Sequence, residues 1–370
     1  MRTLVTGGAG FIGSHLVDAL VEKGHQVTVY DSFDPQVHGK GKPDFLNPEA
    51  AYVKGDLRDR LKLKRILKRV GLVFHEASAV GVGQSMYQIQ HYIEANTQGT
   101  AVLLDLLVNE RTKVQKLMVA SSMSLYGEGS YVCHRCGKVS PPLRGEGQLK
   151  RGRWEIPCPH CQKSLSPRPT PEGKPLFPTS IYALSKRHQE EMSLLIGRTY
   201  RIPVVALRYF NVYGPRQSLS NPYTGACAIF SSRIKNRKPP LIYEDGLQSR
   251  DFIHVKDIVQ ANLLVAGKKE ADGEIFNVGT GKVTTVLDIV DTLLKLYGVM
   301  LNPKILGRFR AGDIRHCFSD ISKIRRLGFS PKVTLEEGLR DLVSWGRGAR
   351  AIDRLEEADR ELLERGLRGR

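Results

Sequence analysis

This 370-residue sequence predicts an α/β fold built on a doubly wound parallel sheet, on three observations. Short runs rich in β-branched residues, TLVTG, QVTVYD, AYVKGDL, LVFHEA, KLMVASS and VVALRYF, are each bounded by turn residues. Segments of helical period separate them, at 11–23, 58–69, 96–109, 181–201 and 256–267. The first run also leads directly into a glycine-rich turn and an amphipathic stretch, TGGAGFIGSHL. Strands alternating with helices lie parallel in one sheet, because each helical crossover returns the chain to the same edge of the layer and covers a face.

The glycine turn sets the first functional expectation. Gly7, Gly10 and Gly13 form G-x-x-G-x-x-G between the strand and the helix that opens with Phe11 and Ile12. The first glycine permits a tight turn, the second lets backbone approach a pyrophosphate, and the third lets helix pack on strand. The helix N-terminus then faces the phosphates with its positive dipole end. Asp31 closes the next strand, 18 residues past Gly13. A carboxylate there hydrogen-bonds a ribose 2′-OH and repels a 2′-phosphate, so the expected cofactor is NAD rather than NADP.

Two later segments supply proton-transfer groups. VASSMSLYG reads as a parallel strand whose C-terminal end carries Ser121, Ser122 and Ser124, and ligands of open α/β sheets sit beyond that end of the strands. IYALSK places Tyr182 and Lys186 four residues apart, on one helix face. An ammonium beside a tyrosine, which otherwise titrates near 10, favours the phenolate and makes a usable base near neutral pH.

With these motifs in view, the sequence resembles the extended short-chain dehydrogenases/reductases of the nucleotide-sugar epimerase/dehydratase family. The resemblance covers roughly residues 1–127 and 175–345, through the glycine loop, GDL at 55–57, HEAS at 75–78, Asn96, the serine strand, YALSK, RYFNVYGP, RDFIHVKD, FNVGTG and GDIRH. It implies Ser122 as the active-site hydroxyl, Tyr182 as the base and Lys186 as its partner. It further implies Asp56 and Leu57 beside the adenine, Ala77 and Asn96 along the cofactor, and Ser124, Asn211, Arg250 and Arg315 on the substrate side. Guanidinium forks suit the pyrophosphate of a sugar nucleotide. A homodimer is common in this family and is expected here.

Cys133, Cys136, Cys158 and Cys161 form C-x2-C-x21-C-x2-C inside the 54 residues that separate Gly127 from Tyr182. Relatives usually have a much shorter connection there, and a structureless loop above about 15 residues is unusual in a compact domain. Four cysteines at this spacing fit a tetrahedral structural zinc with no position left for water, and Gly137 permits the turn after the first pair. Two disulfides or free thiols are the alternative; His134 and His160 are further possible ligands that four thiolates make unnecessary. Family members acting on dTDP-L-rhamnose resemble the sequence in carrying a paired-cysteine insertion and an NPYTG-like segment. The insertion leaves the end of the serine strand and returns before the tyrosine helix, which puts it near the mouth of the site, as a lid or an interface.

The expected organisation is a Rossmann-type NAD-binding domain over residues 1–210, interrupted by a zinc-knuckle insertion at 128–175. Residues 211–345 form mainly a smaller substrate lobe with returning Rossmann elements, and 346–370 a charged helix or tail. Ile352, Leu355 and Leu362 recur there at helical spacing, and the segment is read as a solvated tail, with a packed terminal helix as the alternative. The net charge is +18. Residues 131–174 hold nine Lys/Arg against three Asp/Glu, so +6 of the excess belongs to the cysteine segment. The remainder is scattered, and nucleic-acid binding is not expected. No apolar run reaches the roughly 18 residues that span a bilayer, and the cysteines are not spaced as a disulfide framework, so a cytoplasmic protein without membrane attachment is expected.

The expected activity is NAD-dependent 4-epimerisation of a nucleotide sugar, dTDP-L-rhamnose or a related dTDP- or UDP-hexose. Met123 and Ser124 follow the serine hydroxyl, where dehydratases of the family typically carry Asp-Glu. A thioether and a serine hydroxyl cannot supply the acid and base that eliminating water requires. A 4,6-dehydratase or 4-ketoreductase is the alternative enzyme. A zinc-bearing, NAD-binding sensor or nucleic-acid-binding protein is the alternative of another class.

Overall fold

A computed structural model describes residues 1–39 and 41–369. Seven strands form its main sheet. β1 (Arg2–Thr6), β2 (Gln26–Asp31), β3 (Ala51–Lys54), β4 (Leu72–His75) and β5 (Lys116–Ser122) arise from the first five apolar runs. Three strands of the cysteine insertion follow, β6 (Ser130–Cys133), β7 (Gly137–Val139) and β8 (Leu165–Arg168), then β9 (Val204–Tyr209) returns to the sheet. The edge strand Ile275–Val278 completes the order edge–β9–β5–β4–β1–β2–β3. Every pairing in this sheet is parallel, as the alternating pattern predicts. The order reverses between β1 and β4, and the crevice at such a reversal is where open sheets of this kind bind dinucleotides.

The sheet is buried on both faces. β5 is buried at every position, which is why its sequence runs apolar without alternating. Leu16, Val17 and Leu20 of α1 (Phe11–Glu22) pack on one face with Ile258, Ala261 and Val265 of the helix Val255–Ala266. Leu63, Leu103, Leu107 and Leu194, from three other helices, cover the second face. Helix bounds fall within a few residues of the predicted ones, with one difference: the segment predicted as helix from 96 contains a π-helical turn, Ile93–Gln98, that carries Asn96.

A smaller lobe packs helices Ala226–Lys235, Val286–Tyr297 and Leu335–Gly348 around Tyr213, Phe252 and Leu293. The last of these helices runs through the boundary predicted at 345–346. Capping boxes start two of the three, Thr285 with Asp288 and Thr334 with Glu337; each satisfies two backbone N–H groups that a helix start leaves open.

The C-terminal segment corrects the expectation of a solvated tail. Leu355–Glu364 is a helix whose Leu355, Ala358 and Leu362 are buried, while Ile352 stays at the surface. Glu361 accepts hydrogen bonds from Tyr87 Oη at 2.7 Å and Tyr223 Oη at 2.6 Å, tying the sheet domain to the lobe. Its charged composition disguised a packed stripe, because the acidic and basic residues lie on the other face. No described helix is long and apolar enough to cross a membrane.

Candidate active site

The glycine turn is close-packed backbone. Gly7 has φ +69°, and a β-carbon there would lie 2.7 Å from the Ala77 Cα; one at Gly13 would lie 2.3 Å from the Gly7 carbonyl oxygen. Neither position accepts a side chain without moving main chain. Gly10 precedes α1 and offers no side-chain cap, so the first N–H groups of the helix, from Phe11 to Gly13, have no intrahelical acceptor. Asp31 ends β2 and is buried; its Oδ2 accepts from Ala9 N at 3.0 Å and its Oδ1 from Phe33 N at 2.8 Å. These bonds hold the carboxylate beside the loop. A cradle that β-carbons would fill, an uncapped helix start and a carboxylate at the end of β2 fit a dinucleotide.

Other residues expected along the cofactor are placed by the protein's own bonds. Asp56 pairs with Arg58 through Nη2 at 2.8 Å and Nε at 2.9 Å, which holds its carboxyl below the usual range. Leu57 is buried and packs against Gly99. Asn96 spends its amide on the peptide of Ala79, accepting from N at 2.7 Å and donating to O at 3.0 Å, and donates also to Ser185 Oγ at 2.9 Å. Its side chain therefore shapes the loop after β4 rather than presenting a free group to a ligand.

Ser122 is the last residue of β5, and Tyr182 and Lys186 stand in the first turns of the helix Ile181–Tyr200, whose start Ser180 caps by accepting from Ala183 N at 3.1 Å. Ser122 and Tyr182 meet beyond the C-terminal end of β5, and Lys186 stands one turn further along the helix. Ser122 Oγ accepts from Ser124 N at 3.2 Å and Ser124 Oγ at 2.9 Å. Ser121 instead donates to Glu190 at 2.6 Å, on a buried pair with Arg208. Burial raises the Tyr182 phenol above its ordinary value, and a hydrogen bond with Ser122 offsets part of that. The offset expected from Lys186 comes from Ser122 instead. Burial lowers Lys186 to about 8, with Glu76 and then Glu190 opposing the fall. Sequence reasoning left Glu76 without a role, although a carboxylate ending the apolar run LVFHEA was a visible signal.

On the substrate side, Asn211 opens the strand Asn211–Tyr213 in the lobe, and its Oδ1 is buried with no partner among the described residues. Arg250 grips backbone carbonyls, Ser249 O at 2.8 Å and Arg315 O at 3.0 Å through Nη1 and Ile314 O at 2.7 Å through Nη2. Arg315 departs from its expected role. It is fully buried, and carboxylates surround it: Glu155 at 2.7 and 2.8 Å, Asp245 at 2.7 and 2.9 Å and Glu244 at 3.0 Å. All its N–H groups are committed, and a pyrophosphate finds no free donor there.

The ion pairs of Arg315 tie the cysteine insertion to the lobe. Arg144, also buried, makes a two-pronged bond to Glu244 at 2.8 Å on each arm, and Glu128 accepts from the Arg315 N–H at 2.8 Å. The insertion itself is a three-stranded antiparallel sheet in the order β7–β6–β8. The sulfur atoms of Cys133, Cys136, Cys158 and Cys161 all lie within 4.8 Å of one another. Cys133 and Cys161 are 3.5 Å apart at sulfur, far beyond a disulfide bond, and all four thiols are free. Backbone N–H groups of Cys136 and Arg135 aimed at the Cys133 sulfur lower that thiol to about 6. Four convergent sulfurs of this kind fit a tetrahedral thiolate site.

Comparison with known proteins identifies the family and the fold. The model of the NAD dependent epimerase/dehydratase family matches residues 3–142 and 160–279, breaking inside the insertion. A dTDP-L-rhamnose 4-epimerase of Burkholderia thailandensis is 33% identical over 93% of this chain and 94% of its own. The crystal structure of the Thermotoga maritima UDP-glucose 4-epimerase with UDP-glucose superimposes with a TM-score of 0.77 at 33% identity, over 94% of this chain and 99% of that one. The Thermus thermophilus UDP-glucose 4-epimerase in complex with NAD gives 0.74 at 30% identity, over 95% and 100%. The chain belongs to the NAD-dependent epimerase/dehydratase family of enzymes.

Proposed function

We propose that this chain is an NAD-dependent nucleotide-sugar 4-epimerase, with dTDP-L-rhamnose or a related dTDP- or UDP-hexose as substrate. The observation that supports the reading is Ser122 at the end of β5 bonded to Tyr182, with Lys186 one helical turn on and Met123 and Ser124 in place of a carboxylate pair after the serine. The names of the relatives, a dTDP-sugar and a UDP-sugar epimerase, support the same substrate class.

Gly7, Gly10, Phe11, Ile12, Gly13 and Asp31 would hold NAD, with Asp56, Leu57 and Ala77 flanking it. When bound there, NAD supplies a reversible hydride acceptor at the sugar C4. Tyr182 takes the proton of the sugar 4-OH and later returns it, and Ser122 donates its one hydroxyl hydrogen to the phenolate this leaves. Lys186, one turn further along the same helix face, is assigned to hold the cofactor. Asn211, Arg250 and Ser124 are assigned to substrate contacts. A homodimer in the cytoplasm completes the reading, the dimer being measurable by light scattering.

We also infer that Cys133, Cys136, Cys158 and Cys161 bind one structural zinc, filling all four positions with thiolate so that no metal-bound water remains. The experiment that tests the epimerase reading is incubation with UDP-, dTDP-, GDP- and CDP-sugars without added reductant, with products resolved by NMR. Inversion at C4 is expected, while a 4-keto-6-deoxy product identifies a dehydratase and a demand for external NADH a ketoreductase.

A further inference from the structure

In the main sheet β1 lies between β4 and β2, and all three run parallel, so their C-terminal ends share one edge. The glycine turn leaves β1 at that edge, and the segments that follow β2 and β4 flank it. Those two segments meet. Gln36, after β2, donates from Nε2 to Gln84 Oε1 at 2.9 Å, and Gln84, after β4, donates from Nε2 to Gln36 Oε1 at 3.0 Å. Two reciprocal amide bonds between residues 48 positions apart therefore join the flanks of the cleft across the end of the strand that carries the glycine turn.

Each glutamine is held by its own segment. Gln36 belongs to the one-turn helix Pro35–His38, which Asp34 caps by accepting from Gln36 N at 2.8 Å. That turn is anchored to Asp31: Phe33 N donates to Asp31 Oδ1 at 2.8 Å, and His38 Nε2 stands 3.6 Å from the same oxygen. Gln84 lies in the turn Val82–Ser85 and is buried, and its Oε1 also accepts from Tyr92 Oη at 3.0 Å. A β-carbon at Gly81 would lie 2.6 Å from that Tyr92 oxygen, so glycine there leaves room for the bond. Beside Gln84, Ser85 Oγ accepts from Tyr182 N at 3.0 Å, which joins the segment to the helix of the base. From the lobe, Asn221 Oδ1 stands 3.5 Å from Gln36 Nε2. Leaving the buried Gln84 amide unpaired costs free energy, so the contact favours its own closure.

We propose that Gln36 and Gln84 form a clasp that retains NAD in the cleft, closing over whatever lies on the glycine turn. The assignment rests on the cofactor reading above and deepens it. Epimerisation returns hydride to the carbon it left, so a cofactor that departs between the two half-reactions ends the cycle with the sugar still oxidised. A contact of protein with protein slows that departure without adding a group to the reacting centre.

The test is release of labelled NAD from the full chain into an excess of unlabelled NAD. Gln36 is exposed, so Gln36→Ala should leave the fold intact, and NAD release should be about tenfold faster than in the parent, as expected for the loss of two neutral hydrogen bonds. Gln84→Ala should release NAD at least as fast, because Tyr92 loses a partner too. The double variant should be no faster than Gln84→Ala, since the two residues act through one contact. Gln36→Lys combined with Gln84→Glu puts an ion pair in place of the amides and should bring the release rate back towards that of the parent. Unchanged release in Gln36→Ala, or effects that simply add in the double variant, overturns the clasp while leaving the cofactor reading intact. Failure of the parent to hold NAD at all overturns both.

Discussion

The cofactor cleft and the cysteine insertion are held in place by different physics. In the cleft, neighbouring strands do the placing: β1 and β4 pair in parallel register, and glycines at 7 and 13 let main chain pass main chain at distances no side chain tolerates. In the insertion, long charged side chains do it. Arg144 reaches Glu244, 100 residues on, and Arg315 reaches Glu155, 160 residues back. Buried ion pairs gain little over apolar packing but are costly to break on one side. The cleft is thus rigid by construction, whereas the seating of the insertion depends on every partner being present.

That contrast makes the two regions separable by mutation. The largest effect is expected from Cys133→Ser with Cys136→Ser. Metal analysis should give about one zinc per chain in the parent and none in the variant, and the insertion should become protease-sensitive, because binding free energy at such sites is folding free energy. NAD binding should survive, since among the described residues no cleft residue hydrogen-bonds to the thiols. Retained metal, or lost metal with unchanged protease resistance and activity, breaks the comparison.

Next in size is Glu244→Gln. The substitution keeps the volume and removes the charge that Arg144 and Arg315 share, leaving two buried guanidinium groups undercompensated. A loss of about 3–5 kcal/mol is expected in denaturant unfolding, again with NAD affinity preserved. The smallest effect belongs to the cleft. Asp31→Ala removes a charged hydrogen-bond acceptor worth about 1.5–3 kcal/mol, so NAD affinity should fall about 10- to 100-fold by calorimetry and the preference over NADP should relax. Equal affinity of the parent for both cofactors would contradict the role given to Asp31.

The same contrast explains what could be read from the residues alone. The strands, the glycine loop and the meeting of Ser122 with Tyr182 were legible because each depends on neighbours in sequence or on a fixed rule about strand ends. The four cysteines were legible for the same reason: their spacing is local. The role of Arg315 was not, since nothing near GDIRH announces that Glu155, Glu244 and Asp245 will surround it. The C-terminal helix was misjudged because charge count outweighed a short buried stripe of Leu355, Ala358 and Leu362.

The central claim is that the cleft carries out a reversible oxidation at one sugar carbon while the insertion only holds structure. The most direct measurement uses whichever sugar nucleotide of the panel is turned over, labelled with deuterium at C4 and followed by NMR in ordinary water. Hydrogen that leaves C4 and returns to it without meeting solvent gives a C4-inverted product that keeps its deuterium, and Tyr182→Phe should slow its formation by about 10²–10⁴-fold while NAD stays bound. Loss of the deuterium to water, or accumulation of a 4-keto-6-deoxy sugar, would contradict the account.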